Sequence, residues 1–243
     1  MFPIQTLRKT KTTPYITYSL ILINTLVFFW ELTLSQGQLS QAFYSMAIVP
    51  CEMKGNFFTV ETLFDSIRTM FLHGGWMHLI GNMVFLYLFG PHIEDYLGKV
   101  RFLGFYLIAG FAAGFLHSTL HWSASACAPL GSGTIPAIGA SGAISGVLGS
   151  FFLIYPATRI RTVAFFYRVP IGTVDVQAFY MLLYYFALDF INGIASLGAS
   201  NVETSGVAVW AHIGGFVAGL LITFVVTIFK PLPPVDPFEY LDD

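Results

Sequence analysis

Two side chains in this 243-residue sequence have the types that acyl transfer needs. Ser141 lies in the run Ile138-Gly139-Ala140-Ser141-Gly142-Ala143-Ile144-Ser145-Gly146, and His212 in Ala211-His212-Ile213-Gly214-Gly215-Phe216-Val217-Ala218-Gly219. A serine hydroxyl is a poor nucleophile until a base takes its proton, and a neutral imidazole is the side chain suited to that near pH 7. The tetrahedral intermediate then needs donors for its oxyanion. His78 and Asn82, four residues apart, fall on one face of a helix. The backbone N–H of Ser141, if that residue opens a helix, is a further donor, because the first N–H groups of a helix have no intrahelical partner. Taken singly, each residue has an ordinary explanation: serine bonds back to its own turn, and histidine or asparagine ties helices together. Four such groups brought to one level form a site.

The elements that must bring them together are two small-residue stripes. On a helix, Ser141, Gly142, Ser145, Gly146 and Gly149 make one continuous stripe, and His212, Gly215 and Gly219 share a face of another. Small-residue faces let helices approach closely. If these two faces meet, the hydroxyl and the imidazole come within hydrogen-bonding reach.

Composition supplies the setting. The chain is 56% hydrophobic and 10% charged, whereas soluble domains carry roughly a quarter charged residues. It is expected to be an all-α polytopic membrane protein. Six apolar segments can be drawn, at roughly 17–35, 77–95, 102–121, 139–156, 177–197 and 206–229. They form one membrane domain, 17–230, between an N-terminal segment, 1–16, and a short tail, 231–243. The first segment lacks a small-x-small cleavage pattern after Leu34 and is expected to stay as a span. Nine of the eleven basic residues, Arg8, Lys9, Lys11, Lys99, Arg101, Arg159, Arg161, Arg168 and Lys230, fall in segments that share one side of a six-span chain. Lys54 and Arg68 lie in the long first loop opposite. Positive charge marks the cytoplasmic side, so both termini are expected there, in a cell membrane. His78, Asn82, Ser141 and His212 then share a layer roughly 10 Å below the outer face, from which the site opens.

Net charge is only −2, so no basic surface points to nucleic acid. Cys51 and Cys127 lack metal-like spacing and both fall in outward loops; a disulfide is open to them, but free thiols are the expectation. His117 and His121, four apart, with His73 and His78, could hold zinc, but no carboxylate partners them and no H-E-x-x-H occurs. No metal or cofactor is expected. A G-x-S-x-G elbow is excluded because Ala143 stands where glycine is needed.

The string Phe71-Leu72-His73-Gly74-Gly75-Trp76-Met77-His78-Leu79-Ile80-Gly81-Asn82, then Gly139-Ala140-Ser141-Gly142, then Ala211-His212-Ile213-Gly214-Gly215, resembles the rhomboid family of intramembrane serine proteases. The resemblance runs from about residue 17 to 229. It implies a six-helix bundle, Ser141 as nucleophile, His212 as general base, and His78, Asn82 and the Ser141 N–H as oxyanion stabilisers. His73 and Glu94 match positions of structural role. The substrates it implies are transmembrane segments of other proteins in the bilayer, with helix breakers and small residues near the cut. The fifth segment, with Phe179, Tyr180, Tyr184, Tyr185 and Phe186, is the expected lateral gate. The alternative is an inactive rhomboid-like protein that binds membrane clients, which would be expected to have lost the serine or the histidine. Two places depart from the family pattern: Phe64-Asp65 stands where a Trp-Arg pair is common, and Ser145 where some members have an aromatic over the imidazole. No acidic residue adjoins His212 in the sequence, which fits a dyad. Asp189, in the fifth segment, is expected to be a packing or cavity residue.

Overall fold

The computed structural model describes residues 2–123, 125–129, 131–167, 169–198 and 208–234. Six of its helices coincide with the six apolar segments: α1 (Tyr15–Glu31), α4 (Trp76–Leu97), α5 (Lys99–Leu120), α6 (Ser141–Ile154), α7 (Ala178–Gly198) and α8 (Val209–Phe229). Of these, α5, α7 and α8 are long and apolar enough to cross a membrane, while α1 and α6, with 17 and 14 residues, are shorter apolar helices.

Helix α6 is the centre. All but a few of its residues are buried, and it packs against α8, α5 and α4. A helix apolar on every side has to be enclosed by others. Its glycines fix how closely α8 comes. A methyl group added at Gly215 would lie 1.9 Å from the Gly142 carbonyl oxygen, and one at Gly219 would lie 1.9 Å from the Gly146 carbonyl oxygen. Further along, a methyl at Gly149 would meet the Phe216 carbonyl oxygen at 2.1 Å. The two small-residue faces therefore meet backbone to backbone, and Phe89, Phe102, Tyr106 and Phe151 close the core around them.

The segment expected as a long first loop is itself folded. Ser35 and Gln38 form a capping box that starts α2 (Gln36–Met46), and Thr59 caps α3 (Val60–Arg68). A single 3₁₀ turn, Thr69–Phe71, follows. This region docks on α5 through that helix's small residues: methyls at Gly110 and Gly114 would strike Met70 and Ile48. Cys51 and Cys127 form a disulfide between this region and the segment preceding α6. The free-thiol expectation is thereby corrected. Ile48 accepts a hydrogen bond from Ala137 N at 2.8 Å, so the same two segments are also joined through their backbones.

The expectation of an all-α chain also needs correcting. Phe2–Thr6 (β1), Arg159–Phe166 (β2) and Val169–Gln177 (β3) form an antiparallel sheet in the order β1-β2-β3. Ile160 and Thr162 alternate with Arg161 and Val163, the period of a half-buried strand.

The sheet ties the N-terminus to the α6–α7 connection. Lys11 N donates to Asp95 Oδ2 at 3.1 Å, Lys99 Nζ lies 4.3 Å from the centre of the Tyr15 ring, and Tyr96 OH donates to the Lys230 carbonyl at 3.0 Å. The four basic segments thus converge on one end of the bundle. Arg168 and residues 235–243 lie outside the described residues. Glu94, at this end, accepts hydrogen bonds from Ile16 N, Thr17 N and Thr17 Oγ1 at 3.0, 2.8 and 2.8 Å. A carboxylate at the positive end of the α1 dipole stabilises the start of that helix.

Candidate active site at the α6–α8 seam

Ser141 is the first residue of α6. Its N–H precedes the first intrahelical bond, from Ile144 N to the Ala140 carbonyl at 3.0 Å, so it belongs to the unpaired first turn. The approach to it is set by Gly139, whose φ of +119° is in the region that favours glycine. Gly139 N donates to the Thr69 carbonyl at 2.9 Å, and Thr69 Oγ1 donates to the Ala137 carbonyl. A side chain at 139 is excluded sterically as well: a methyl there would lie 2.6 Å from His78 Nε2 and 3.5 Å from Asn82 Nδ2. The two α4 side chains therefore lie against the backbone two residues before Ser141.

Asn82 is buried and shares a 3.0 Å hydrogen bond with His73 Nε2. His73 Nδ1 in turn bonds the Phe71 carbonyl at 3.2 Å. Since only an N–H can donate to that carbonyl, the proton is on Nδ1 and Nε2 accepts from the Asn82 amide. Burial, with the His78 ring beside it as a second cause, pushes the His73 pKa down to about 4, which keeps it neutral and able to accept. The His73 N–H donates to Glu31 at 3.0 Å. Glu31 carries no sequence signal beyond being the one carboxylate within the apolar segment 17–35.

His212 is in the first turn of α8, and its Nδ1 lies 3.1 Å from Asp189 Oδ2 on α7. No acidic residue adjoins the imidazole in the sequence, but the fold gives it a carboxylate neighbour, and Asp189, expected to pack or line a cavity, makes a hydrogen bond to it. A carboxylate accepts the proton of Nδ1, which leaves Nε2 of a neutral ring as a base. It also supplies what Ser145, buried in α6, does not, namely a group that orients the ring.

The seam brings the neighbours of the two residues into contact: a methyl at Gly142 would lie 3.6 Å from the Ala211 carbonyl oxygen. Among the described residues no direct hydrogen bond links Ser141 to His212. The His117 and His121 rings lie tilted with centres 4.3 Å apart, and His121 Nδ1 donates to the His117 carbonyl at 2.7 Å. Among the described residues no group of three His, Cys, Asp or Glu side chains converges in a way that could hold a metal ion.

Helix α7 leans on α6 and α8. Phe179 stacks on Phe152, Phe186 lies 4.7 Å from Phe216, and Tyr185 reaches Phe85 of α4 at 5.7 Å between ring centres.

Comparison with known proteins agrees with this architecture. The family model described as Rhomboid domain matches residues 60–229, most of the chain. RHOMBOID-like protein 5 of Arabidopsis thaliana is 28% identical over 171 residues, which cover 70% of this chain and 46% of that protein. Rhomboid protease AarA of Providencia stuartii is 25% identical over 221 residues, 86% of this chain and 71% of that protein. Putative rhomboid protease YdcA of Bacillus subtilis is 29% identical over 160 residues, 65% of each. The chain spans less than half the length of the plant relatives it matches. With helices apolar enough to span a bilayer and a family model matched across most of its length, this chain belongs to the rhomboid family of membrane proteins.

Proposed function

We propose that the chain is an intramembrane serine endopeptidase that cuts peptide bonds in or beside transmembrane segments of other membrane proteins. The observation that carries this reading is the backbone contact between Gly142 and Gly215, which holds the first turns of α6 and α8, and so Ser141 and His212, at one level. Ser141 Oγ attacks the scissile carbonyl while His212 Nε2 takes its proton. Catalytic hydrogen bonds of this kind commonly tighten only when substrate is bound. The oxyanion is stabilised by His78, Asn82 and the Ser141 N–H. His212 then gives its proton to the leaving amine, and a water, activated by the same base, releases the acyl group from Ser141.

Asp189 orients the imidazole through Nδ1. A helical substrate hides its carbonyls in its own hydrogen bonds, so the segment must unwind before attack. Entry past α7, the least buried of the three helices long and apolar enough to cross a membrane, suits that requirement.

The bundle spans a cell membrane six times, with both termini in the cytoplasm and the site facing outward. Two observations support this orientation independently. Basic segments gather at one end, and the Cys51–Cys127 disulfide lies in the loops that the six-span order assigns to the opposite side; disulfides persist in oxidising compartments. The test is cleavage of a reporter protein carrying a transmembrane segment. Wild type should cut it and Ser141→Ala, folded to the same extent, should not. Cleavage retained by Ser141→Ala would overturn the proposal.

A further inference from the structure

The β2–β3 hairpin takes no part in the proposed chemistry, and its composition changes along its length. Near its base it is an ordinary half-buried sheet. Ile160 and Thr162 are fully buried, Thr6 Oγ1 of the adjoining strand lies 2.9 Å from His92 Nε2 of α4, and on the other face Arg161 pairs with Asp175 at 2.9 and 3.0 Å.

Towards the turn the side chains become apolar and stand in the open. Phe165, Tyr167, Val169 and Ile171 are 49%, 88%, 61% and 65% exposed. Tyr167 has φ +47°, a conformation that turns in water normally give to Gly, Asn or Asp. A tip built from a bulky aromatic in that conformation, flanked by three more large apolar residues, is a poor turn for water. It has the character of a surface that is covered.

Two features identify the cover as the bilayer itself. First, β3 passes directly into α7: Gln177 ends the strand, Ala178 starts a helix apolar enough to cross a membrane, and Ala178 N bonds the Thr158 carbonyl at 2.8 Å at the hairpin's base. The base is therefore held at the point where the chain enters the membrane. A strand of eight residues extends about 26 Å, and the exposure at the end of β2 and the start of β3 shows that the helices do not cover the tip. Second, this is the end where Arg8, Lys11, Lys99, Arg159 and Lys230 collect, beside the Arg161–Asp175 pair, and basic segments beside a membrane are drawn to anionic headgroups. Aromatic and aliphatic residues next to such charge match the interface between headgroups and acyl chains.

We propose that the hairpin tip is a membrane-interface anchor: Phe165, Tyr167, Val169 and Ile171 sit at the headgroup–acyl boundary of the leaflet on the basic side and hold the start of α7 at that level. The occupant is lipid, and the recognition is apolar insertion supported by anionic headgroups.

The experiment uses the full-length protein with its disulfide intact, so that Ile171→Cys provides one reactive thiol. That thiol is labelled with an environment-sensitive nitrobenzoxadiazole probe, and the protein is reconstituted into vesicles of phosphatidylcholine and phosphatidylglycerol. Lipids carrying a nitroxide near the headgroup should quench the probe several-fold more than iodide supplied on both sides of the vesicle. Adding Val169→Asp should reverse that order, while Ser141 labelling by a serine-reactive phosphonate stays at the level of the parent. Full access to iodide with no quenching by lipid nitroxide would overturn the proposal. So would efficient cross-linking of Ile171→Cys between two protein copies in the vesicle, because the tip would then be covered by a second copy of the chain.

Discussion

Replacing Gly215 by alanine is the sharpest perturbation of the seam. Its methyl would stand 1.9 Å from the Gly142 carbonyl oxygen and 2.9 Å from the carbonyl carbon, both backbone atoms that cannot rotate aside. Non-bonded heavy atoms sit at about 3.5 Å, so α8 has to retreat from α6 by roughly 1.5 Å at this level. Gly215 lies one turn from His212, and Gly142 adjoins Ser141, so the displacement is transmitted to both. A misplacement of about 1 Å at reacting groups can cost about 100-fold in rate, and overpacking a close-packed seam costs about 1–3 kcal/mol of stability. Gly215→Ala should therefore lower kcat/KM on a transmembrane reporter about 100-fold and depress the Tm of the detergent-solubilised protein. Gly219→Ala clashes at least as hard one turn further along, with the Gly146 carbonyl oxygen at 1.9 Å and its carbon at 2.5 Å, and should cost at least as much stability with a smaller loss of rate. Gly104→Ala is the control, since a methyl there meets nothing within 4 Å. Wild-type kcat/KM and Tm in Gly215→Ala would refute the claim that this contact sets the site.

Three further outcomes follow from the surroundings of the site. Asp189→Asn should lower kcat about 10-fold or more with KM unchanged, because an amide can donate to Nδ1 and favour the wrong tautomer; an unchanged kcat would remove Asp189 from the mechanism. His73 has its pKa pushed down to about 4 by burial, whereas an unfolded chain binds that proton near pH 6.5. The stability linked to His73 is thus complete above pH 6.5 and declines as pH falls towards 4, so His73→Gln should flatten the Tm–pH curve in that window, and identical slopes would contradict the assignment. The Cys51–Cys127 bridge closes a separation of 76 residues, for which chain entropy gives about 4.5 kcal/mol. A reductant should lower the Tm of wild type and leave a Cys51→Ala/Cys127→Ala variant unchanged, and a Tm indifferent to reductant would count against a stabilising bridge.

The helices were legible because their signal is local. The stripes Ser141-Gly142-Ser145-Gly146 and His212-Gly215-Gly219 announce a close seam through spacing alone, and the glycines do meet there. Basic residues announced which segments share an end, and the contacts of Lys11, Lys99 and Lys230 join those segments. What escaped depended on approach between distant segments. Asp189 is 23 residues from His212, and only the packing of α7 on α8 gives it that partner. Glu31 reaches the His73 N–H across 42 residues. The two cysteines reveal their pairing only once the region after α2 is docked on α5. The hairpin was missed for a different reason. Its alternation, Ile160 and Thr162 against Arg161 and Val163, is present in the letters, but the arginines there also carry the topology signal, and the buried face exists only with the N-terminal strand beside it. The residues after Leu34, where a cleavage pattern is absent, hold instead a capping box of Ser35 and Gln38.

The central claim is that the Ser141 hydroxyl is activated by the His212 imidazole across the α6–α8 seam. Covalent labelling by a fluorescent alkyl phosphonate, with the modified residue located by mass spectrometry, measures that activation without knowledge of the natural substrate. The account predicts label on Ser141 in wild type and almost none in His212→Ala of equal Tm. Equal labelling of Ser141 in both proteins, or label on another serine, would contradict it.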